Sequence, residues 1–350
     1  MEYFLMPDPQ RPLVPKKLIS KLEQTALETK FSGVISIYQD STSVFNQAFG
    51  YRDIKNQLPN LTTTLFGTAS GTKTFTALGI GKLIDQGLIS LNTAVGEINP
   101  DYTNFIDPGA TILQLLTHTS GIYDYYDEEV NQDSEKFFVE IPWYKLGTTS
   151  DYYPLFRNQV MKFQPGEKFS YSNGGYVFLG ILLEKLTGGL YRDFIFEPLL
   201  KPALMKRSNF YALNDLPANT AQGYLNDRQT TNIYNIPVRG SGDGGMFTTT
   251  DDLHLFWDQL FTYKILSKEL TDLYFRTYHR FNDLFGYGCG IYKRLDHPMY
   301  SISGSDAGVG FESRYLVTDK VTINILSNIT EGDEDIRPVV REIINCLIGK

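Results

Sequence analysis

Hydrophobic and polar positions alternate with different periods along this chain, and each change of period marks a predicted element. After Pro15, the run PKKLISKLEQTALETK repeats apolar residues with helical spacing, which predicts a helix over about 15–30. The next two runs, FSGVISIYQD and TSVFNQAFGYRD, are rich in β-forming residues and are separated by a short polar turn. They predict a β-hairpin.

The middle of the chain, from about 70 to 200, has a mostly helical pattern that glycine and proline interrupt. The segment ATILQLLTHTSG predicts a short helix closed by Gly121, and NGGYVFLGILLEKLTGG predicts a second helix with a glycine stop. A further helix is predicted after the glycine-rich turn GDGGM. Thr249 and Asp252 have the spacing of a capping box at its start.

The C-terminal part returns to the alternating pattern of strands, in LFGYGCGIYKR, MYSISGS, FESRYLVT and VTINILSN, and ends in a helical run, DEDIRPVVREIINCLIG. We therefore predict an α/β protein of the α+β type. One antiparallel sheet is built from both chain ends and flanked by terminal helices, and an all-helical domain lies beside it. Residues 1–69 together with 240–350 form the predicted sheet domain. Residues 70–239 form the helical one, with the active site between the two.

Composition excludes several classes of function. The net charge of −8 argues against a nucleic-acid-binding protein, which would need a basic face. The two cysteines are too few for a disulfide framework, and the four histidines lack metal-site spacing, so neither a metal nor another cofactor is expected. The expected partner is a small-molecule or peptide substrate, and the expected assembly is a monomer or a weak oligomer.

Two hydropathy features bear on the compartment. The sequence has no run long enough for a transmembrane helix, and MEYFLMPDPQRPLVPKK has no basic region followed by an apolar one, as a signal peptide would. The expectation is a cytoplasmic protein, or an extracellular one if a leader was removed.

The first candidate for chemistry is the stretch FGTASGTKTFTALGIGKLIDQG, in which Ser70 precedes Lys73 by three residues at the head of an apolar helix. This spacing places both side chains on one helix face, so the amine can reach the hydroxyl. A lysine of lowered pKa can take the proton of a serine and make it a nucleophile. About one or two such pairs arise by chance in a chain of this size. Alone, the pair is a weak signal that is more typical of a helix-capping serine and a solvated lysine.

The second candidate is FSYSNGGY, where Tyr171 and Asn173 would point a phenol and an amide into one cleft. The tyrosine could shuttle the serine's proton, and the asparagine could bind a substrate amide. The same triplet occurs at Tyr102–Asn104 and at Tyr224–Asn226. Its position before a strong helix selects Tyr171.

The third candidate is SISGSDAGVGFES, a short β-like run that meets small residues. Ser303, Gly304 and Ser305 would let a substrate lie along a strand edge, and a backbone N–H there could complete an oxyanion hole. Taken alone, this segment is typical of a tight hairpin turn.

Together and in this order, the three segments resemble the serine β-lactamase and penicillin-binding-protein superfamily, in particular the branch of class C β-lactamases and D-alanyl-D-alanine carboxypeptidases. The phrases FSGVISI, LLTHTSGI, QPGEKFSYSNGGYVFLG, GDGGMFTTTDDL and GVGFES extend the resemblance over roughly residues 30–328. The resemblance implies an antiparallel sheet domain and a helical domain with the active site between them.

The resemblance also implies a role for each candidate residue. Ser70 would be the acylated nucleophile, Lys73 and Tyr171 would share the proton transfer, and Asn173 would bind the substrate amide. The backbone N–H groups of Ser70 and Ser305 would form the oxyanion hole. The implied activity is that of a serine hydrolase acting on an amide or ester: a peptidase, an esterase or a β-lactamase. The alternative is a penicillin-recognising or peptidoglycan-sensing protein that acylates without turnover.

One position departs from the family pattern. The third motif begins with lysine or histidine in that superfamily, whereas this chain has Ile302 before Ser303 and Gly304. Because that cation helps to hold a substrate carboxylate, its absence favours neutral esters or amides over penicillins. An arginine or histidine from elsewhere in the chain could replace it, for example Arg239 or His297.

Three further features can be interpreted as structural or as functional. His118 in LLTHTSG is predicted to be a structural, partly buried imidazole. Asp243 in GDGGM is predicted either to line the cleft or to serve the turn. The acidic, aromatic loop Asp124–Lys145 is predicted to border the cleft, with a solvated insertion as the alternative.

Overall fold

The structure is a computed structural model that describes residues 14–350. Most of the N-terminal segment that bears on an export signal therefore lies outside the described residues. The helices are α1 Lys16–Glu28, α2 Thr72–Asp85, α3 Val95–Ile98, α4 Ile112–Leu116, α5 Tyr153–Phe156, α6 Asn173–Thr187, α7 Tyr191–Ile195, α8 Thr250–Phe261, α9 Lys268–Tyr274 and α10 Arg337–Leu347. The strands are β1 Gly33–Gln39, β2 Thr42–Phe49, β3 Tyr51–Asp53, β4 Leu58–Pro59, β5 Phe66–Gly67, β6 Phe247–Thr248, β7 His279–Arg280, β8 Phe285–Tyr287, β9 Tyr292–Arg294, β10 Met299–Asp306, β11 Val309–Leu316 and β12 Val321–Ser327.

Strands from both chain ends form one sheet of eight strands in the order β2-β1-β12-β11-β10-β9-β8-β7. All neighbours in this sheet run antiparallel. The N-terminal hairpin joins the C-terminal strands where β1 pairs with β12, with Gly33 opposite Ser327. The predicted fold class is therefore confirmed.

The two faces of the sheet bury different helices because β-strand side chains alternate between faces. On one face, α1 and α10 pack on alternate residues such as Ile35 and Ile323, which are buried with them in one apolar cluster. On the other face, α8 lies against the sheet, where Trp257 donates to Ser313 Oγ at 2.8 Å. This second face continues into the larger core that contains α2 and α6.

Two local predictions differ from the structure in detail. The helix after Ala110 ends at Leu116, five residues before Gly121. Gly121 is required for a close approach instead, since a Cβ there would lie 2.0 Å from the Phe163 carbonyl oxygen. Thr249 caps α8 by accepting from Asp252 N at 3.2 Å.

The reciprocal half of the predicted capping box is not formed. The carboxylate of Asp252 accepts from Ser208 N at 2.8 Å and from Ser208 Oγ at 2.7 Å rather than from the start of α8. Asp252 therefore ties the helix start to a distant loop, a contact that local sequence spacing does not reveal.

Helices α2 to α7 all lie between residues 70 and 239, the stretch predicted to be the helical domain. The boundaries of the two domains stay a prediction. Among the described residues, no helix is both long and apolar enough to cross a membrane.

Candidate active site

Ser70 lies in a short 3₁₀ turn, Ala69–Gly71, that leads directly into α2. Ala69 has a φ of 43°, a left-handed conformation that is unfavourable for a residue with a side chain. Ser70 is half-buried and lines a cavity, whereas Lys73, one turn further on, has only 2% of its surface exposed. Lys73 Nζ lies 2.9 Å from Ser70 Oγ.

Lys73 Nζ has three hydrogen-bond partners in the described structure. Besides Ser70 Oγ, it donates to Asn173 Oδ1 at 2.7 Å and to the Asp243 backbone oxygen at 2.9 Å. Burial lowers the pKa of Lys73, and four nearby carboxyl groups oppose that shift. The buried amine is therefore closer to its neutral form than a surface lysine is.

Tyr171 is the third side chain at this point. Lys73 Nζ lies 4.9 Å from the centre of its ring. Burial raises the pKa of Tyr171 well above its ordinary value, while a hydrogen bond with the Ser70 side chain lowers it. The phenol is thus protonated at neutral pH and in contact with Ser70.

The start of α6 brings Asn173 to Lys73. Ser172 caps this helix by accepting from Gly175 N at 2.9 Å. Asn173 donates its amide hydrogens to the Tyr126 backbone oxygen at 2.8 Å and to Glu128 Oε1 at 3.0 Å. Its side-chain amide is therefore fully hydrogen-bonded within the protein.

Asp124 has a positioning role that the sequence analysis did not assign. Its carboxylate accepts from the backbone N–H groups of Asn173 at 2.9 Å and Gly174 at 2.7 Å. Burial raises its pKa to about 7, and these backbone hydrogen bonds oppose the shift. Aspartate commonly caps the N-terminus of the helix that directly follows it in sequence. Asp124 instead reaches the start of α6 from a loop about fifty residues earlier in the chain.

His118 fixes the segment that carries Tyr171. Its Nδ1 accepts from Ser172 N at 3.0 Å, so Nε2 carries the proton and pairs with Tyr287 Oη at 3.1 Å. Burial, together with the charge of Lys73, lowers the pKa of His118 well below its ordinary value. The imidazole is neutral and fully hydrogen-bonded, which agrees with the structural role predicted for it.

Strand β10 runs beside the Ser70 turn. A Cβ on Gly304 would lie 2.7 Å from the backbone nitrogen atoms of Ser70 and Gly71 and 2.3 Å from the Thr68 carbonyl oxygen. Only glycine allows this approach. Ser305 follows at the exposed edge and lines the cavity, whereas Ser303 is not among the described residues that line it.

Neither proposed substitute for the cation of the third motif is among the described residues that line the cavity. Ile302 is 2% exposed and belongs to the core. Arg239 is exposed and lies near Arg192. Burial lowers the pKa of Arg192, and the charge of Arg239 lowers it further. His297 Nε2 lies 3.1 Å from Asp319 Oδ2. It precedes the first residue of β10, Met299, whereas Gly304, near the other end of β10, contacts the Ser70 turn.

The cavity beside Ser70 has about 940 Å³ of free space, part of it open to solvent. The loop Asp124–Lys145 contributes aromatic side chains to its wall, as predicted. Asp243 also lines it, and its Oδ2 accepts a hydrogen bond from Tyr125 Oη. The aromatic residues of the wall are Tyr125, Tyr126, Phe137, Trp143, Tyr152, Tyr211 and Phe247.

Comparison with known proteins gives the same family from sequence and from structure. A sequence model of the family described as Beta-lactamase matches residues 19–343. The chain is 28% identical to penicillin-binding protein 4* of Bacillus subtilis (strain 168), over 93% of this chain and 76% of that protein. It is 30% identical to the protein flp of Staphylococcus aureus (strain MW2), over 63% of this chain and 43% of that protein.

Two solved structures support the fold. A penicillin-binding protein from Bacillus halodurans superposes with a TM-score of 0.86 at 32% identity, covering 92% of this chain and 99% of that one. A penicillin-binding protein homologue from Pyrococcus abyssi, described as octameric, gives 0.81 at 28% identity, covering 96% of this chain and 77% of that one.

Proposed function

The chain belongs to the beta-lactamase family, and from this membership and the geometry around Ser70 we propose that it is a serine hydrolase that cleaves an amide or ester through an acyl-enzyme. Ser70 is the nucleophile, Lys73 and Tyr171 move its proton, and the cleft beside β10 holds the substrate. The relatives named as penicillin-binding proteins support acylation of a serine in general. The residue roles rest on the arrangement of this chain.

The observation that carries the proposal is the set of partners around Lys73. A neutral amine has two N–H donors and one lone pair. Asn173 Oδ1 and the Asp243 backbone oxygen can only accept, so they take both N–H groups. The lone pair is then left for the hydroxyl proton of Ser70, 2.9 Å away. This arrangement supports the proposed role of Lys73 as a general base.

The reaction then proceeds in two steps. Ser70 Oγ attacks the substrate carbonyl carbon as its proton moves to Lys73, and the leaving group departs with a proton delivered through Tyr171. Water hydrolyses the resulting ester and regenerates the Ser70 hydroxyl. The Ser70 and Ser305 backbone N–H groups stabilise the oxyanion, since β10 lies against the Ser70 turn at Gly304.

The test combines covalent labelling with turnover. Mass spectrometry after incubation with a fluorophosphonate is expected to show one adduct, on Ser70. With p-nitrophenyl acetate, we expect steady hydrolysis over many turnovers. A burst of one equivalent followed by no turnover would instead establish a sensor that acylates and stops.

Gly304→Ala tests the contact between β10 and the nucleophile. The added methyl group meets backbone atoms that cannot rotate away, at 2.3–2.7 Å. We expect a loss of about 1–3 kcal/mol in the free energy of unfolding, together with at least a tenfold slower fluorophosphonate labelling.

Gly189→Ala is the matched control for this substitution, because its nearest atom is Thr187 Oγ1 at 3.9 Å. If Gly304→Ala unfolds and labels as the wild type does, the Ser70 turn is not held against β10 in the way described.

A further inference from the structure

The cavity beside Ser70 is acidic. Asp243 and Asp306 line it, and no lysine, arginine or histidine is among the described residues of its lining. Asp306 lies on the same face of β10 as Ile302 and Gly304, two residues beyond the contact with the Ser70 turn. Its carboxylate accepts from Ala307 N at 2.9 Å and has no ion pair among the described residues.

Two buried hydroxyl groups in the same cavity have no hydrogen-bond partner. Tyr152 and Ser241 are each 1% exposed, and both line the cavity. Tyr152 Oη and Ser241 Oγ are without a partner in the described structure. Because a buried polar group without a partner is unfavourable, these two atoms are placed where a ligand would satisfy them.

Asp243 stands beside these hydroxyls. It is 9% exposed, and its charge acts on the Tyr152 phenol. Burial raises the pKa of Asp243, and it raises the pKa of Asp306 to about 7, with Lys73 opposing both shifts. Burial thus outweighs the charge of Lys73 at both carboxyl groups, and a bound cation would favour their ionised forms.

An ammonium group has the complementary chemistry. It carries three N–H donors and one positive charge, and it accepts nothing. The carboxylates of Asp243 and Asp306 attract it and the two hydroxyl oxygens accept from it. A substrate carboxylate could accept from the hydroxyls, but both carboxylates would repel it. The backbone oxygen of Asp243 is also bonded to Lys73, which contacts Ser70. A group bound here thus lies close to the carbonyl that Ser70 attacks.

We propose that the acidic wall formed by Tyr152, Ser241, Asp243 and Asp306 binds the ammonium group of a cationic amide or ester substrate, next to the carbonyl that is cleaved. The inference rests on the proposed serine hydrolase and names its substrate class: acyl compounds with a free amine on or near the carbon next to the carbonyl.

Three alanine p-nitroanilides that differ only at the amine test this substrate class. They carry a free amine, an N-acetyl group or an N-succinyl group, so their charges are positive, neutral and negative. Both the D and the L forms are measured at pH 7. We expect kcat/KM to fall in that order, with at least tenfold between the first and the last.

An equal or reversed order overturns the inference, and so does hydrolysis of p-nitrophenyl acetate with no cleavage of the free-amine anilide. In both cases the proposed function stands, provided that a fluorophosphonate labels Ser70. Absence of both labelling and ester hydrolysis would instead refute the proposed function.

Variants separate ligand binding from a structural role. Tyr152→Phe and Ser241→Ala remove hydroxyls that have no protein partner, so the melting temperature is expected to stay equal or rise. The ratio of kcat/KM for the free-amine anilide to that for the N-acetyl anilide is expected to fall severalfold in each. In Asp306→Asn this ratio is expected to fall roughly 10–100-fold, as for loss of a charge-assisted hydrogen bond.

Asp283→Asn is the matched control. It makes the same change of charge on an exposed residue in the turn between β7 and β8, and it is expected to leave the ratio as in the wild type. An unchanged ratio in Tyr152→Phe, Ser241→Ala and Asp306→Asn would show that the wall does not bind the ammonium group.

Discussion

Replacement of Ser70 by alanine is expected to abolish fluorophosphonate labelling and to lower p-nitrophenyl acetate hydrolysis by roughly 10³-fold or more. Ser70 Oγ contacts both the Lys73 amine and the Tyr171 phenol, and Ser70 lines the cavity. Without it, neither group has a nucleophile to deprotonate. Intact-mass spectrometry and the steady-state rate measure the two effects.

The fold should survive this substitution, because Lys73 keeps its hydrogen bonds to Asn173 and Asp243. Ser43→Ala is the matched control, since Ser43 is exposed on the edge strand β2. An adduct that persists in Ser70→Ala, or that maps to another serine of the wild type, would contradict the assignment of the nucleophile.

The local part of the candidate site could be predicted from the sequence because it depends on short spacings. Ser70 and Lys73 lie three residues apart at the start of a helix, and this spacing puts the amine within reach of the hydroxyl, with Nζ 2.9 Å from Oγ. Tyr171 and Asn173 flank the cap of α6, a strong apolar helix whose start is visible in the pattern. The sheet was equally predictable, since apolar residues such as Val321, Ile323 and Ile325 alternate with polar ones along its long strands.

The remaining part of the site depends on contacts between distant segments. Asp124 reaches the start of α6 from a loop, and Tyr152 and Ser241 line the same cavity although about ninety residues separate them. No periodicity marks these positions, because loops carry them. Which of these residues come together depends on how the helical region packs on the sheet. The spacing of residues within one segment does not reveal this packing.

Ile302 illustrates both sides of this limit. The sequence shows that the cation of the third motif is missing. The structure shows why replacing Ile302 by lysine would not simply restore that cation. Ile302 is enclosed beside the Ser70 turn, since a Cβ on Gly71 would lie 3.3 Å from its Cγ2. A lysine there would enter the core, where burial disfavours its charge. Asp306, four residues later on the same face, reverses the sign of the charge beside the cleft.

The second large effect is expected for Lys73→Met, which should slow acylation by roughly 10²–10⁴-fold, the range for loss of a general base. Methionine keeps an unbranched, buried side chain but has no amine to accept the Ser70 proton. It also leaves Asn173 Oδ1 and the Asp243 backbone oxygen without their donor. The melting temperature must therefore be measured beside the rate of fluorophosphonate labelling. Lys82→Met, on the same helix and half-buried, is the matched control.

The pH profile distinguishes loss of a base from loss of packing. The base must be neutral, so wild-type acylation is expected to rise with pH through the pKa of Lys73, which burial lowers from the ordinary value for lysine. Lys73→Met should lose this rise.

Tyr171→Phe should slow acylation as well, and the double variant should lose less than the product of the two single losses, because both groups act on one proton. Independent, multiplicative losses, or a pH rise that persists in Lys73→Met, would show that another group takes the proton of Ser70.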